Sequence, residues 1–348
     1  MKEEVKVKSV EELTEEEVKQ IVYVYNSVFR ELNPLGFTVY RDARTWRERF
    51  EGLKKAGEAD EIAVSMVLDG ERIVGTTIVT VKRVYLGGEP VSMAFIDNVA
   101  VLKKFRGRGL GKAVFKGADR FVRESRVKAS ILYTAPLSVA WRMYRKFGYI
   151  DAFHVYIAFT LTGKEKIVKA VKPGVWRGLT RLAPTLKPRK PKGKVEILGE
   201  KDVEVFNWLG SHMNLFSPIT SYRLSRTRLV ARSGEAALTG SLRLYGSVTG
   251  KSFLAGHISN IVYHSKGAGL EEVTKEAVFK LANAGAELIA SGAVDKRVAQ
   301  AFLRAGLWVL PRACVAMVKP VKGRPKEILG KVRRQPIYLP LEDVLEDW

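Results

Sequence analysis

The same strand–turn–helix pattern occurs once in each half of the chain. The apolar, β-branched segment VSMAFIDNVAVL (91–102) precedes the glycine-rich turn FRGRGLGKAV (105–114) and then a segment with helical spacing. AGHISNIVYHSKGAGL (255–270) aligns with it: Asn260 falls under Asn98, with two residues fewer before the turn. An internal repeat of this kind predicts two related domains in a chain of 348 residues.

The first turn has the composition of an anion-binding loop. Alternating glycines remove side chains, so backbone N–H groups can converge beside the positive end of the helix that follows. The motif is not a P-loop, because Arg106 stands where glycine is needed and Ala113 where Ser or Thr would hold magnesium. It is not the dinucleotide fingerprint either, because Lys112 replaces the third glycine.

Two motifs in the right order resemble the GNAT superfamily of acyl-CoA-dependent N-acyltransferases. The family's turn is Gln/Arg-x-x-Gly-x-Gly/Ala, and Arg106, Gly109 and Gly111 occupy those places. The family also tends to show Ala, Tyr and Gly at intervals of four, and here these are Ala140, Tyr144 and Gly148. One position departs from the family pattern: Leu137 stands where many members carry an asparagine that contacts coenzyme A.

The resemblance implies an α/β fold with two tandem GNAT-like domains, each a mostly antiparallel mixed sheet flanked by helices. We expect a catalytic acetyltransferase domain over 1–162, a basic Pro-rich linker over 163–195, a diverged GNAT-like domain over 196–320 and a tail over 321–348. Local signals agree with this order. A capping box, Thr14 with Glu17, opens a first helix, a second helix covers 41–56, and a hairpin turns at Asp69-Gly70.

The resemblance also implies a mechanism with acetyl-CoA as cosubstrate. The backbone N–H groups of Val99, Ala100 and Val101 would stabilise the oxyanion. Tyr144 would protonate the departing thiolate, as a phenol within hydrogen-bonding reach can. Asp97, two residues before Val99 and so expected on its face, is a candidate general base or a solvent-side carboxylate; Glu61 and Asp42 are further candidates. The phosphates would lie against Arg106, Gly107, Arg108, Gly109, Leu110, Gly111 and Lys112.

The second copy has lost the residues that this chemistry needs. Lys266 replaces Arg106, and Glu271 and Glu272 replace Gly111 and Lys112, so carboxylates would repel a pyrophosphate there. Phe302 replaces Tyr144 and has no proton to donate. We therefore expect a structural second domain, which covers the first or shapes an acceptor groove.

The remaining composition excludes several classes of protein. The sequence has one cysteine, Cys314, in the strand-like run ACVAMV, so no internal disulfide forms and packing is the expected role. With four scattered histidines we expect no metal site. The charged N-terminus shows no secretory signal, and no apolar run reaches membrane-spanning length, so a cytoplasmic protein without a membrane partner is expected.

The net charge of +22 is concentrated in part between the two copies. Residues 164–194 hold eleven basic residues, one acidic residue and four prolines, which is typical of a stiff basic linker. The segment could be a solvated linker, could bind the acidic tail at 342–347, or could contact an anionic macromolecule such as transfer RNA or the ribosome. The sequence contains no RNA-recognition or helix-turn-helix motif.

Three functions of different classes stay open at this point. The first is an N-acetyltransferase acting on an amine of a protein or small molecule. The second is a nucleic-acid-associated acetyltransferase, and the third is a non-catalytic acyl-CoA-binding module. The intact first turn together with Tyr144 disfavours the third. The acceptor, the acyl chain length and the oligomeric state are not encoded in these motifs.

Overall fold

A computed structural model describes residues 4–33, 35–225, 227–264 and 267–334. In chain order, the first half contains β1 (Glu4–Ser9), α1 (Glu15–Leu32), β2 (Phe37–Val39), α2 (Ala43–Lys55), β3 (Glu61–Asp69), β4 (Arg72–Leu86), β5 (Glu89–Val101), α3 (Leu110–Glu124), β6 (Ala129–Thr134), α4 (Val139–Lys146) and β7 (Ile150–Leu161).

The rest of the described chain repeats this order after two short helices. Its elements are α5 (Glu165–Ala170), α6 (Val175–Leu182), β8 (Glu196–Ile197), α7 (Val203–Ser211), β9 (Leu215–Phe216), α8 (Ser221–Ser225), β10 (Leu229–Ser233), β11 (Ala236–Ser247), β12 (Ser252–Tyr263), α9 (Leu270–Asn283), β13 (Leu288–Ala293), α10 (Lys296–Arg304), β14 (Trp308–Pro320) and α11 (Pro325–Val332).

Local sequence signals position the elements as expected. The Thr14 hydroxyl accepts the N–H of Glu17 at 3.2 Å, and the Glu17 carboxylate accepts the N–H of Thr14 at 2.9 Å, so the predicted capping box is confirmed. Asp42 caps α2 by accepting the N–H of Thr45 at 2.9 Å. Gly70, with φ of 64°, turns the β3–β4 hairpin.

The strands form one large mixed sheet in which the halves exchange their final strands. The order is β1-β3-β4-β5-β6-β14-β7-β13-β12-β11-β10-β8. β14 pairs with β6 of the first half, and β7 pairs with β13 of the second. β7 and β14 also pair antiparallel with each other at the centre. The predicted fold class, two GNAT-like units with mixed sheets, is confirmed, whereas the exchange was not predicted.

A second exchange has the same reciprocal form. β2 of the first half pairs with residues 245–247 of β11, and β9 of the second half pairs with Tyr85 and Leu86 of β4. Each half therefore receives two strands from the other. Since every exchanged strand brings backbone hydrogen bonds and buried side chains, neither half completes its own sheet.

The hydrophobic cores show the same exchange. Met317 of β14 is buried against Leu132 and Tyr144 in the core beneath α3 and α4. Ala158 of β7 is buried in the core of the second half, with Ile258 and Ile289. Cys314 is fully buried in β14, as its packing role required.

The segment after β7 packs against the second half. α5 and α6 occupy its first part, and an extended stretch follows from Ala183. The N–H of Leu186 donates to the carbonyl of Leu161, and the hydroxyl of Ser233 donates to the carbonyl of Lys194 at 2.9 Å. The domain boundaries stay a prediction, and the acidic residues at 342–347 lie outside the described residues. Among the described helices, none combines the length and apolarity needed to cross a bilayer.

The strand exchange predicts that the two halves unfold together. Met317→Ala should lower the free energy of unfolding by about 2–5 kcal/mol, because it leaves a cavity in the core of the other half. Calorimetry should show one transition at a lower melting temperature. Leu310→Ala, at an exposed position of the same strand, is the control and should change little. Two separate transitions, of which only one shifts, would contradict cooperative unfolding.

Candidate active site

The candidate site of the first half begins at a β-bulge in β5, where β5 separates from the parallel strand β6. Residues 98 and 99 of β5 stand opposite one residue of β4, and Asn98 takes a left-handed φ of 56°. β5 pairs with β6 only over 93–96 against 129–132, although both strands continue further. Beyond Ile96, no described strand pairs with this edge of β5, so its backbone is placed to contact a ligand. The second copy has the same bulge at Asn260, with φ of 50°.

The bulge changes the placement of Asp97. Asp97 lies opposite Ile78 and Ala100 lies opposite Thr76, so Asp97 and Ala100 share a face of the sheet. The expectation that Asp97 shares the face of Val99 is wrong, because the extra residue reverses the alternation. Asp97 is partly buried, and its backbone carbonyl accepts a hydrogen bond from the Thr77 hydroxyl at 2.8 Å.

The glycine turn of the first half forms an open cradle. Gly107 and Gly109 have φ of 82° and 81°, a conformation that favours glycine, and Gly109 is the N-cap of α3. A Cβ added at either position would meet no atom within 4 Å. Within the described chain, the N–H groups of Gly107, Gly109, Leu110 and Gly111 donate no hydrogen bond. The turn therefore presents converging free donors at the positive end of a 15-residue helix.

The cationic side chains around the cradle differ in their hydrogen-bond and ion-pair partners. Arg106 donates through Nε to the carbonyl of Val101 at 2.9 Å, and its Nη2 lies 3.7 Å from the carboxylate of Glu31. Lys103 pairs with the same carboxylate at 3.2 Å. Arg106 thus braces the loop against β5 and α1, and Arg108 and Lys112 are exposed. Glu31, at the end of α1, carries no motif that sequence reasoning could have used.

The glycine turn of the second half is closed by its own chain. A Cβ on Gly269, the N-cap of α9, would lie 1.8 Å from the carbonyl oxygen of Ser233, in the β10–β11 turn. The N–H of Glu235, in the same turn, donates to the carbonyl of Ala268 at 3.0 Å. The Tyr263 hydroxyl donates to the Asp295 carboxylate at 2.9 Å and so bridges the end of β12 to the N-cap of α10.

The second turn is therefore closed to a ligand mainly by the Ser233 backbone that packs against it, and less by the charge of its carboxylates. Glu271 pairs with Lys275 at 2.5 Å and with Arg304 at 3.1 Å, and these hydrogen bonds hold the pKa of its carboxyl below the usual value. Glu272 packs against Gly193 of the extended segment. Phe302 is fully buried, and Lys266 lies outside the described residues. Alignment of the two copies indicated that the second is degenerate. Only the structure shows that the carbonyl of Ser233 packs against its glycine turn.

Tyr144 lies in an aromatic cluster beneath α4. It is 5% exposed, and its ring centroid is 4.8 Å from that of Phe115 and 6.3 Å from that of Tyr149. The Tyr149 hydroxyl lies 2.7 Å from that of Ser130, and burial raises the pKa of Tyr149. The structure thus fixes the Tyr144 ring by packing. Within the described residues, no group of His, Cys, Asp and Glu side chains is arranged to hold a metal ion.

Comparison with known proteins identifies the first half. Residues 9–151 match the family model described as "Acetyltransferase (GNAT) domain". These residues form a GNAT acyltransferase domain. The match ends near the start of β7 and does not include the second copy. A search of curated proteins gives no match.

Solved structures share the fold of nearly the whole chain. N-myristoyltransferase from Saccharomyces cerevisiae with bound myristoyl-CoA is 11% identical with a TM-score of 0.67, covering 92% of this chain and 84% of that one. A putative acetyltransferase from Pyrococcus horikoshii is 13% identical with a TM-score of 0.56, covering 91% and 90%. A probable N-acyltransferase from Enterococcus faecalis is 16% identical with a TM-score of 0.50, covering 92% and 73%. At these identities the likeness shows the fold.

The contrast between the two turns predicts one coenzyme A site per chain. Gly111→Glu should abolish binding of acetyl-CoA, because it places a carboxylate at the open end of α3. Glu271→Gly combined with Glu272→Lys gives the second turn the glycine and lysine of the first but leaves Ser233 in place, so stoichiometry should stay at one. Isothermal titration calorimetry measures both. A stoichiometry near two, in the parent or in the second variant, would contradict the steric account.

Proposed function

We propose that the chain transfers an acetyl group from acetyl-CoA to a primary amine of a protein or small molecule. The supporting observation is the position of the open cradle directly after the stretch of β5 that no longer pairs with β6. A diphosphate at the N-terminus of α3 would direct its thioester arm along that edge, between β5 and β6. The GNAT match over the same residues supports the reaction class.

The chemistry needs three groups around the thioester. An N–C bond forms, the C–S bond breaks, the amine loses a proton and the thiolate gains one. A backbone N–H of Val99, Ala100 or Val101 that points away from β4 would donate to the carbonyl oxygen as it gains charge. One such donor contributes about 3–4 kcal/mol in comparable sites.

Two side chains, one on β5 and one on α4, are proposed for the two proton transfers. We propose that Tyr144 donates the proton that the thiolate takes and that Asp97 accepts the amine proton, directly or through water. Packing against Phe115 restricts the Tyr144 ring to one orientation, which favours a positioned donor. Glu61 and Asp42 are weaker candidates: Glu61 is exposed at the start of β3, and Asp42 is engaged in capping α2.

The length of the acyl chain has a direct test. The family model describes acetyltransferases, whereas the yeast enzyme with the same fold was solved with myristoyl-CoA. We propose acetyl, and calorimetry with acetyl-CoA, octanoyl-CoA and myristoyl-CoA separates the possibilities. Binding of myristoyl-CoA that is tighter by more than about tenfold would contradict the acetyl assignment and leave the acyltransferase assignment intact.

Tyr144→Phe should lower kcat by about 10²–10⁴-fold with little change in Kd for acetyl-CoA, because the ring still packs but the proton is absent. Release of free thiol from acetyl-CoA in the presence of an amine library provides the assay. Tyr149→Phe, in the same aromatic cluster, is the matched control and should retain turnover. Equal turnover in Tyr144→Phe and parent would remove Tyr144 from the mechanism.

A nucleic-acid-associated acetyltransferase is the second candidate function. Lys187, Arg189, Lys190, Lys192 and Lys194 are all exposed on the extended segment, and none enters an ion pair within the described chain. Because Leu186 bonds to Leu161 and Lys194 bonds to Ser233, the stretch is anchored at both ends and its cations are not carried on a free arm. We propose that this surface contacts RNA.

Replacing all five cations with serine tests that surface. Each neutralised phosphate releases a counterion. The slope of log affinity against log salt concentration should therefore fall by up to about four or five for a double-stranded nucleic acid. The melting temperature should stay constant, since these side chains are exposed. A parent protein that binds no RNA at low salt would end the proposal.

A further inference from the structure

A recess lies where the exchanged strand β2 meets the second half of the chain. The end of α1, the residue after β2, the last part of β11 and the β11–β12 turn contribute its walls. Its cavity volume is about 250 Å³, several times the ~30 Å³ that one water molecule takes in the liquid, so a small organic molecule fits. The lining includes Arg30, Tyr40, Leu244, Gly246, Lys251 and Ser252.

The strand exchange holds these walls in place. β2 pairs with residues 245–247 of β11, and directly after β2 the N–H of Tyr40 donates to the carbonyl of Leu244 at 2.8 Å. The β11–β12 turn is closed by the N–H of Ser247, which donates to the carbonyl of Lys251 at 3.0 Å. An ordered backbone from both halves therefore presents the side chains that line the recess.

Two cations of the lining have no acidic partner in the described chain. Arg30, on α1, and Lys251, in the β11–β12 turn, enter no ion pair there and donate no side-chain hydrogen bond there. None of the lining residues carries a carboxylate. The carboxylate next to Arg30 in sequence, that of Glu31, is already paired with Lys103 and Arg106. The recess is therefore positively charged.

The guanidinium of Arg30 lies beside the Tyr40 ring over the backbone of β11. A Cβ added to Gly246 would lie 3.5 Å from Cδ2 of Tyr40 and 3.6 Å from Nη2 of Arg30, so both groups cover the same glycine. The Nε of Arg30 is buried and has no acceptor among the described residues. Because buried donors are normally hydrogen-bonded, this position favours an acceptor that a ligand supplies.

Apolar surface and two hydroxyls complete the lining. Tyr40 is 50% exposed and Leu244 is 49% exposed, so both offer apolar area to a ligand in the recess. The hydroxyls of Tyr40 and Ser252 make no hydrogen bond within the described ranges. The recess thus combines an apolar wall with two cationic and two neutral hydrogen-bond donors.

We propose that this recess binds a small phosphate monoester, with the phosphate on Arg30 and Lys251 and the organic part against Tyr40 and Leu244. A phosphate monoester carries a charge of about −1.5 to −2 at pH 7, which two cations match, whereas a monocarboxylate would leave one cation unmatched. Its three terminal oxygens can accept from both cations and from the hydroxyls. The site uses no residue of the glycine cradle and does not depend on the acyltransferase proposal.

Phenyl phosphate is the probe, and Gly111→Glu is the background that removes the cradle as a competing phosphate site. In that background, titration calorimetry should show one phenyl phosphate site per chain. Lys251→Gln should weaken binding at least about tenfold, at an unchanged melting temperature because Lys251 is exposed in a turn. Lys19→Gln is the matched control and should leave affinity unchanged, since this exposed lysine of α1 lies about 16 Å along the helix from Arg30.

A second comparison tests the apolar wall. Phenyl phosphate should bind severalfold more tightly than inorganic phosphate, and in Tyr40→Ala this ratio should fall towards one. Tyr40→Phe keeps the ring and should keep most of the ratio. The binding of both ligands can be measured in the same Gly111→Glu background.

Competition in the parent protein identifies the source of the phosphate. Displacement of phenyl phosphate by acetyl-CoA but not by its analogue without the 3′-phosphate assigns the recess to that phosphate of the cosubstrate. Displacement by neither assigns it to a separate small molecule.

Three results would overturn the proposal. The first is that phenyl phosphate binds only when Gly111 is intact. The second is that Lys251→Gln binds phenyl phosphate as tightly as Lys19→Gln does. The third is that phthalate, an aromatic dicarboxylate, binds more tightly than phenyl phosphate, since the recess would then select carboxylates.

Discussion

The antiparallel pairing of β7 with β14 is the interaction on which the rest of the structure depends. It lies at the centre of the sheet, and each of these strands also pairs with the other half. The two copies therefore share one hydrogen-bonded sheet and interleaved cores. A duplicated domain held in this way can lose its chemistry and still be retained, because the first copy needs its strand and its side chains to fold.

The two copies have diverged at the same structural positions. Each has a bulge with a left-handed asparagine, a split between parallel strands and a glycine N-cap with positive φ. In the first copy the turn is open and its N–H groups face outwards; in the second the carbonyl of Ser233 lies against Gly269. The proposed binding site and the closed turn therefore differ in which atoms occupy one small volume beside a helix N-terminus.

Much of this could be predicted from the sequence, because the signals were local. The capping box at Thr14, the Asp69-Gly70 turn and the glycine motif gave bounds for the first half within about two residues of those observed. The strand exchange could not be predicted, since the composition of a β-strand does not identify the strand with which it pairs. The face of Asp97 was mispredicted because alternation fails at a bulge that only Asn98 signals.

Hydrogen exchange with and without acetyl-CoA tests the central claim most directly, because it reports on the backbone N–H groups that distinguish the two turns. Saturating acetyl-CoA should slow exchange in the peptide covering 106–114 and along the end of β5, while the peptide covering 267–274 should exchange equally with and without the ligand. Protection at 267–274 would contradict the account, since the second turn would then bind the ligand. Unchanged exchange at 106–114 with bound acetyl-CoA would contradict it too, since the glycine cradle would then not be the binding site.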